Sequence, residues 1–329
     1  MTDPESLAAN IAGEMSTVLV GMDELIEQLT IALLTRGHVL LEGVPGVAKT
    51  TLAHTFAQTS GLTYNRVQMT PDILPSDITG NSVYRVQTGE FNVRKGPVFA
   101  NVVVADEINR ATPKTQSALL EAMAEGQVSL DGETFELPDP FIVIATQNPI
   151  EMEGTFDLLE AQRDRFQQKL TVDLPDADIE RDLLDRFNGS PTMGPEDISP
   201  VVPDGAIHAA REAVKDVHVE DVVLEYILDL VAASRDHPDL DHGASPRGSL
   251  ALLQTSKARA AVHGRDYVTS DDVKQLAEPV LNHRFVLTVD AELSDTPPSE
   301  ILSDILGSVN PPEGKMSSQA PDAAKTPDQ

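Results

Sequence analysis

Residues 38–51 read His38-Val39-Leu40-Leu41-Glu42-Gly43-Val44-Pro45-Gly46-Val47-Ala48-Lys49-Thr50-Thr51. A short apolar run breaks into a glycine-rich turn, and a helical pattern starts at Lys49. Strand, glycine loop, helix is the context in which a chain cradles phosphate. Backbone N–H groups of the loop and of the first helical turn point at the anion, and the helix dipole favours negative charge there. Gly43 to Thr50 fits the pattern G-x-x-x-x-G-K-[ST] except at Ala48, where glycine is usual. A methyl group obstructs little, and the competing reading, an ordinary Gly/Pro turn, does not account for the flanking strand and helix. The pattern places Lys49 to meet the β- and γ-phosphates of ATP as a point charge, and the Thr50 hydroxyl to ligate Mg²⁺. Gly43 through Thr51 form the candidate ATP-binding segment.

Outward from the loop, four more short apolar runs occur at 64–68, 102–105, 141–145 and 169–172. Most are separated by helical or loop stretches and several are continuous rather than alternating, as parallel strands covered on both faces are. Five such strands predict a doubly wound α/β fold whose ligand crevice lies at the carboxyl ends of the strands. Two alternating stretches interrupt the pattern and read as hairpins, 82–94 around Thr88-Gly89 and 127–137 around Asp131-Gly132.

Val102-Val-Val-Ala-Asp106-Glu107 ends one strand in two carboxylates. Beside a phosphate loop, Asp106 is expected in the Mg²⁺ shell and Glu107 to polarise the attacking water. A solvated acidic turn is the competing reading, and it weakens once the loop is present. Phe141-Ile-Val-Ile-Ala-Thr-Gln-Asn148-Pro149 ends another strand in amides. Asn148 is expected to hydrogen-bond the γ-phosphate or the lytic water, against the alternative of an Asn-Pro turn cap.

The composition shifts after Pro175. We read residues 1–188 as the nucleotide-binding domain with an N-terminal helix, 189–203 as a linker, 204–290 as an all-helical second domain, and 291–329 as a disordered acidic tail rich in Pro, Ser and Asp. The chain has 329 residues and no cysteine, which excludes disulfides, thiolate metal sites and cysteine nucleophiles. The eight histidines are scattered without metal-ligand spacing. No signal peptide and no spanning apolar run is evident, so a cytoplasmic location without membrane insertion is expected. Fifty-three acidic residues against 24 basic ones give a net charge of −29. A basic partner could account for this charge. We favour adaptation to a salt-rich host, where screening over ~3 Å at 1 M salt tolerates dense carboxylates. Either way, nucleic-acid binding is not expected.

These motifs also carry a family resemblance. Leu41–Thr50, Ala105-Asp-Glu-Ile-Asn-Arg-Ala111, Lys114–Met123, Ala145-Thr-Gln-Asn-Pro149 and Glu160-Ala-Gln-Arg-Asp-Arg-Phe166 together resemble the MoxR family of AAA+ ATPases, in which alanine before the lysine is usual. The resemblance covers roughly residues 5–290. It implies a five-stranded nucleotide domain with a helical lid, assembly as a ring (usually a hexamer) with ATP between subunits, and work as a chaperone-like remodelling motor. It further implies a protein client and a von Willebrand A-domain partner, often in the maturation of metal-containing or multi-subunit enzymes. By position, Arg165 resembles the arginine finger given to a neighbouring subunit, and Arg247 the lid arginine that touches nucleotide in its own subunit. Arg163 is the weaker finger candidate, better read as a surface salt bridge, and Val20-Gly21 stand where the family contacts adenine. Phe156–Leu159 depart from the family's aromatic-and-proline pattern. Alternatives are the ATPase subunit of a metal chelatase, a transcriptional regulator on the same motor, and a non-hydrolysing scaffold.

Overall fold

The structure, a computed structural model, describes residues 3–85, 90–149, 154–189 and 194–312. Helices α1 (Pro4–Met15) and α2 (Asp23–Thr35) precede strand β1 (Val39–Glu42), helix α3 (Lys49–Thr59) and strand β2 (Tyr64–Gln68). A short helix α4 (Pro75–Thr79) leads into the hairpin β3 (Gly80–Arg85) and β4 (Glu90–Lys95). Then come β5 (Val102–Asp106), α5 (Pro113–Glu125), the hairpin β6 (Gln127–Leu130) and β7 (Glu133–Glu136), β8 (Ile142–Gln147), α6 (Glu160–Arg163) and β9 (Gln168–Thr171). Thr88-Gly89, expected to turn the first hairpin, lie outside the described residues.

β1, β2, β5, β8 and β9 form one parallel sheet in the order β2-β5-β8-β1-β9. Alternate residues of its strands feed two separate cores, which is why the strand runs are continuously apolar. Val39, Leu41, Val102, Val104, Ile142 and Ile144 face one core with α1, α2 and α3. Leu40, Val103, Ala105, Val143 and Ala145 face the other, with α5, the second hairpin and Phe166. β2 is an edge strand, and its half-exposed pattern reflects that.

Beyond the sheet the chain is helical: α7 (Ala177–Gly189), α8 (Ala206–Asp216), α9 (Asp221–Arg235), α10 (Pro246–Val262) and α11 (Ser270–Leu281), with a small ribbon of β10 (Leu240–His242) and β11 (Val286–Leu287). Their starts follow capping chemistry. Ser245 caps α10 ahead of Pro246, and Thr269 with Asp272 forms a capping box on α11. Asp272 is fully buried; burial pushes its carboxyl up, but donors from Arg265, Thr269 and Arg259 outweigh this and hold it below the usual range. α1 and α2 pack directly on α8 and α10, and all four share one apolar core.

The expectation of disorder from residue 291 needs correction. α12 (Val289–Leu293) and α13 (Pro298–Ser308) continue the helical part, and Ile301, Leu302 and Ile305 are buried where α13 packs on α9 and α11. An apolar stripe of three residues suffices because a ready-made groove receives it. Residues 313–329 lie outside the described residues, as do 190–193 of the expected linker.

Candidate active site

The loop after β1 turns sharply beside β9. A Cβ on Gly43 would lie 2.4 Å from the Val172 carbonyl oxygen, so only glycine passes there. Ala48 caps α3 at φ 59° and ψ 24°, a left-handed conformation that explains why glycine is usual at this position. Lys49, the first residue of α3, sends its ammonium back to the carbonyl oxygens of Gly43 and Val44, at 2.9 Å for the latter. Burial lowers the pKa of Lys49, against the pull of Asp106 and Glu107 that favours its charged form.

β5 ends opposite the loop. The Thr50 hydroxyl donates to Asp106 Oδ2 at 3.1 Å, and the buried Thr146 hydroxyl donates to Asp106 Oδ1 at 2.6 Å. Thr146 Oγ1 also accepts the Glu107 N–H at 2.9 Å. One threonine on β8 thus ties the backbone of one carboxylate residue to the side chain of the other. Glu107 sits at φ 57°, an unusual conformation for its residue type, and the Thr146 contact helps to brace it, as does the Arg110 N–H on its carbonyl at 2.9 Å. Its carboxylate Oε2 accepts from Gln68 at 2.7 Å and from Arg110 at 3.0 Å. Asp106 also accepts from Arg66 Nε at 2.9 Å and from Arg66 Nη2.

Two cavities share the loop residues Gly46, Val47, Ala48 and Thr51. One, of about 420 Å³, is lined by Lys49, Thr50, Asp106, Glu107, Thr146 and Asn148 among others. The other, of about 480 Å³, is more apolar, and Val20 and Gly21 line it together with Val172, Ile179 and Leu183. A polar cavity thus adjoins an apolar one, with Gly46, Val47 and Ala48 lining both. Thr50 and Asp106 present convergent oxygens, a donor set that suits a hard divalent cation carried largely by phosphates and water. Among the described residues no cluster of three or more His, Asp or Glu could hold a metal by itself.

The structure brings Lys49, Thr50, Asp106, Glu107 and Asn148 around one cavity, with Asn148 buried at its rim. Arg165 and Arg247 line neither cavity. Arg165 Nη1 donates to the Leu120 carbonyl at 2.7 Å, and Arg247 Nε lies 3.9 Å from Asp164. Arg247, near the start of α10, stands beside the 164–166 segment with its side chain largely exposed. Arg163 is half-buried and makes no ion pair among the described residues, so the surface salt bridge expected for it does not form. Sequence reasoning missed Arg66, Gln68, Arg110 and the linking role of Thr146. The first two owe their place to β2 lying beside β5, with Arg66 against Val104 and Gln68 against Asp106.

Comparison with known proteins bears on this geometry. The family described as "ATPase family associated with various cellular activities (AAA)" matches residues 38–168, and the AAA lid domain matches residues 232–305. The Chaperone MoxR1 of Mycobacterium tuberculosis is 43% identical over 91% of this chain and 81% of its own length. The Bacillus subtilis protein YeaC is 44% identical over 94% of this chain and 96% of its own. A crystal structure of a candidate ATPase from Cytophaga hutchinsonii superposes with a TM-score of 0.87 at 38% identity, covering 94% of this chain and 96% of that one. Among the described residues no helix is long and apolar enough to cross a membrane.

Proposed function

The chain belongs to the MoxR family of AAA+ ATPases, and from that premise we propose that it is a ring-forming, chaperone-like motor that uses ATP to remodel a protein client. In this reading residues 1–188 are the nucleotide-binding body and the helices from 204 onward its lid. Lys49 and the loop amides of Gly43 to Thr51 hold the phosphates, while Val20 and Gly21 bound the base compartment. Thr50 and Asp106 would hold Mg²⁺, which would supply positive charge against the phosphates. Glu107 takes a proton from water as the water oxygen attacks the γ-phosphorus and the bond to the bridging oxygen of ADP breaks. Thr146 fixes Glu107 for that step, and Gln68 and Arg110 hold its carboxylate. Asn148 meets the γ-phosphate or the lytic water, and Arg165, at a separate edge, serves the γ-phosphate of a neighbour.

Such a finger acting in trans requires a heterologous interface, which closes naturally into a ring; we propose a hexamer. The client is a protein complex or metalloenzyme, handled with a von Willebrand A-domain partner, and the setting is a cytoplasm rich in salt, as the charge of −29 favours.

The observation that carries this reading is the meeting of Lys49, Thr50, Asp106 and Glu107 around one cavity. The test is Glu107→Gln in a steady-state ATPase assay with nucleotide retention measured alongside. Turnover should fall by about 100-fold or more while ATP stays bound. Turnover at the wild-type rate would remove Glu107 as the base.

A further inference from the structure

Four side chains of the helical part close on one short segment of the nucleotide-binding body. Arg284, just after α11, donates from Nε to Asp164 Oδ1 at 2.9 Å, from Nη2 to the Phe166 carbonyl at 2.8 Å and from Nη1 to the Gln167 carbonyl at 3.2 Å. The neighbouring His283 bonds the Phe166 carbonyl through Nε2 at 3.0 Å. Ser245, the cap of α10, donates to Asp164 Oδ2 at 3.0 Å, and Arg247 stands 3.9 Å from the same oxygen. Arg284 and His283 are buried, and Phe166 is wholly enclosed in the core on the far side of the sheet.

Arg165 lies between Asp164 and Phe166, so its backbone is fixed on both sides by groups from the lid. A guanidinium is suited to this because its planar fork spans several acceptors at once. Burial disfavours the charge on Arg284 and Asp164 sustains it, so the pair holds together as a unit. We propose that Arg284 is a positioning residue for Arg165. It ties the finger segment, which Phe166 anchors in the core of the nucleotide-binding body, to the lid, so that the seating of the lid bears on the position of the finger. This rests on the reading of Arg165 as the finger. Arg284 touches no nucleotide-cavity residue and acts through the segment it grips.

The test is a double-mutant cycle on ATP turnover by the full chain with Arg284→Lys, Arg165→Ala and the two combined. A lysine keeps the charge and loses the fork. Misplacement by about 1 Å costs about 100-fold in rate, so Arg284→Lys should lower kcat by about that factor with KM within about twofold. In the Arg165→Ala background it should cost nothing more, because its route is already cut. Wild-type kcat in Arg284→Lys, or losses that multiply in the double variant, overturns the proposal. Wild-type kcat in Arg165→Ala removes the finger reading itself, which separates the two failures. If Arg284→Lys loses its cooperative melting transition, Asp164→Asn, which keeps shape and an acceptor, goes through the same cycle. There too a lowered kcat that vanishes in the Arg165→Ala background supports the proposal, and wild-type kcat or multiplying losses overturn it.

Discussion

The cavity beside Lys49 and the edge around Arg165 both mix acidic and basic side chains, but they are built by opposite means. The cavity is assembled from strand ends: Lys49 follows β1, Asp106 and Glu107 end β5, and Asn148 follows β8. Its acidic pair is braced by one short side chain, Thr146, from the adjacent strand. The edge has no strand end behind Arg165. The finger segment is held by residues from α10 and the turn after α11, about 80 to 120 positions later in the chain. The difference teaches that the cavity is rigid by sheet geometry, whereas the edge depends on contacts between distant parts of the chain. The edge around Arg165 is fixed by the body through Phe166 and Leu120 and by the lid through Arg284 and Ser245.

The largest effect should come from breaking each half alone. Lys49→Ala removes a charge-assisted phosphate contact of about 3 kcal/mol, so ATP affinity should fall about 100-fold in a fluorescent-nucleotide titration. Arg165→Ala should leave that affinity within about twofold and lower kcat by about 1,000-fold or more. Equal losses of affinity in both variants would erase the distinction between the two regions.

Acid should act on both regions through buried histidines. Burial pushes His38, at the foot of β1, down to about 4, and its neutral ring bonds the Met123 carbonyl and accepts the Val143 N–H. Burial, with Arg284 next, pushes His283 under the edge well below the ordinary histidine value. A histidine kept neutral in the fold takes up its proton more readily when unfolded. The stabilisation from His38 is therefore present above about pH 6.5 and is lost as pH falls towards about 4, and that from His283 is lost in the same direction. For His38 the loss is on the order of 3 kcal/mol. Chemical denaturation across that window should show a shallower decline in His38→Gln than in the wild type, and an unchanged slope would remove His38 as a contributor.

The smallest effect concerns the loop itself. Ala48 at φ 59° carries the ordinary cost of a left-handed alanine, roughly 1 kcal/mol. Ala48→Gly should shift thermal stability by no more than about that amount, with ATP affinity unchanged within about twofold. A large loss of affinity would mean that the methyl shapes the loop rather than merely being tolerated by it.

The cavity was legible in the sequence because its residues are local to recognisable runs. A strand followed by glycines and Lys49-Thr50, or by Asp106-Glu107, announces itself within about a dozen residues. Arg66 and Gln68 were not legible in this way, since nothing in Tyr64–Gln68 says that β2 lies beside β5. Arg284 was further out of reach, because its partners are 117 to 120 positions away. The place of Arg247 beside Asp164 was equally illegible, because the docking of α10 decides it. α13 escaped notice because Ile301, Leu302 and Ile305 are a short stripe amid Ser, Asp and Pro, meaningful only against the groove formed by α9 and α11.

The apolar core that α1 and α2 share with α8 and α10 crosses the boundary drawn at residues 189–203. A fragment ending at 188 would strip one wall from that core and leave Leu7, Ile11 and Leu33 facing water, so severing the polypeptide there should yield an aggregating piece rather than a free-standing half. Amide protection in α1 should rise only when α10, more than 200 residues later, has docked.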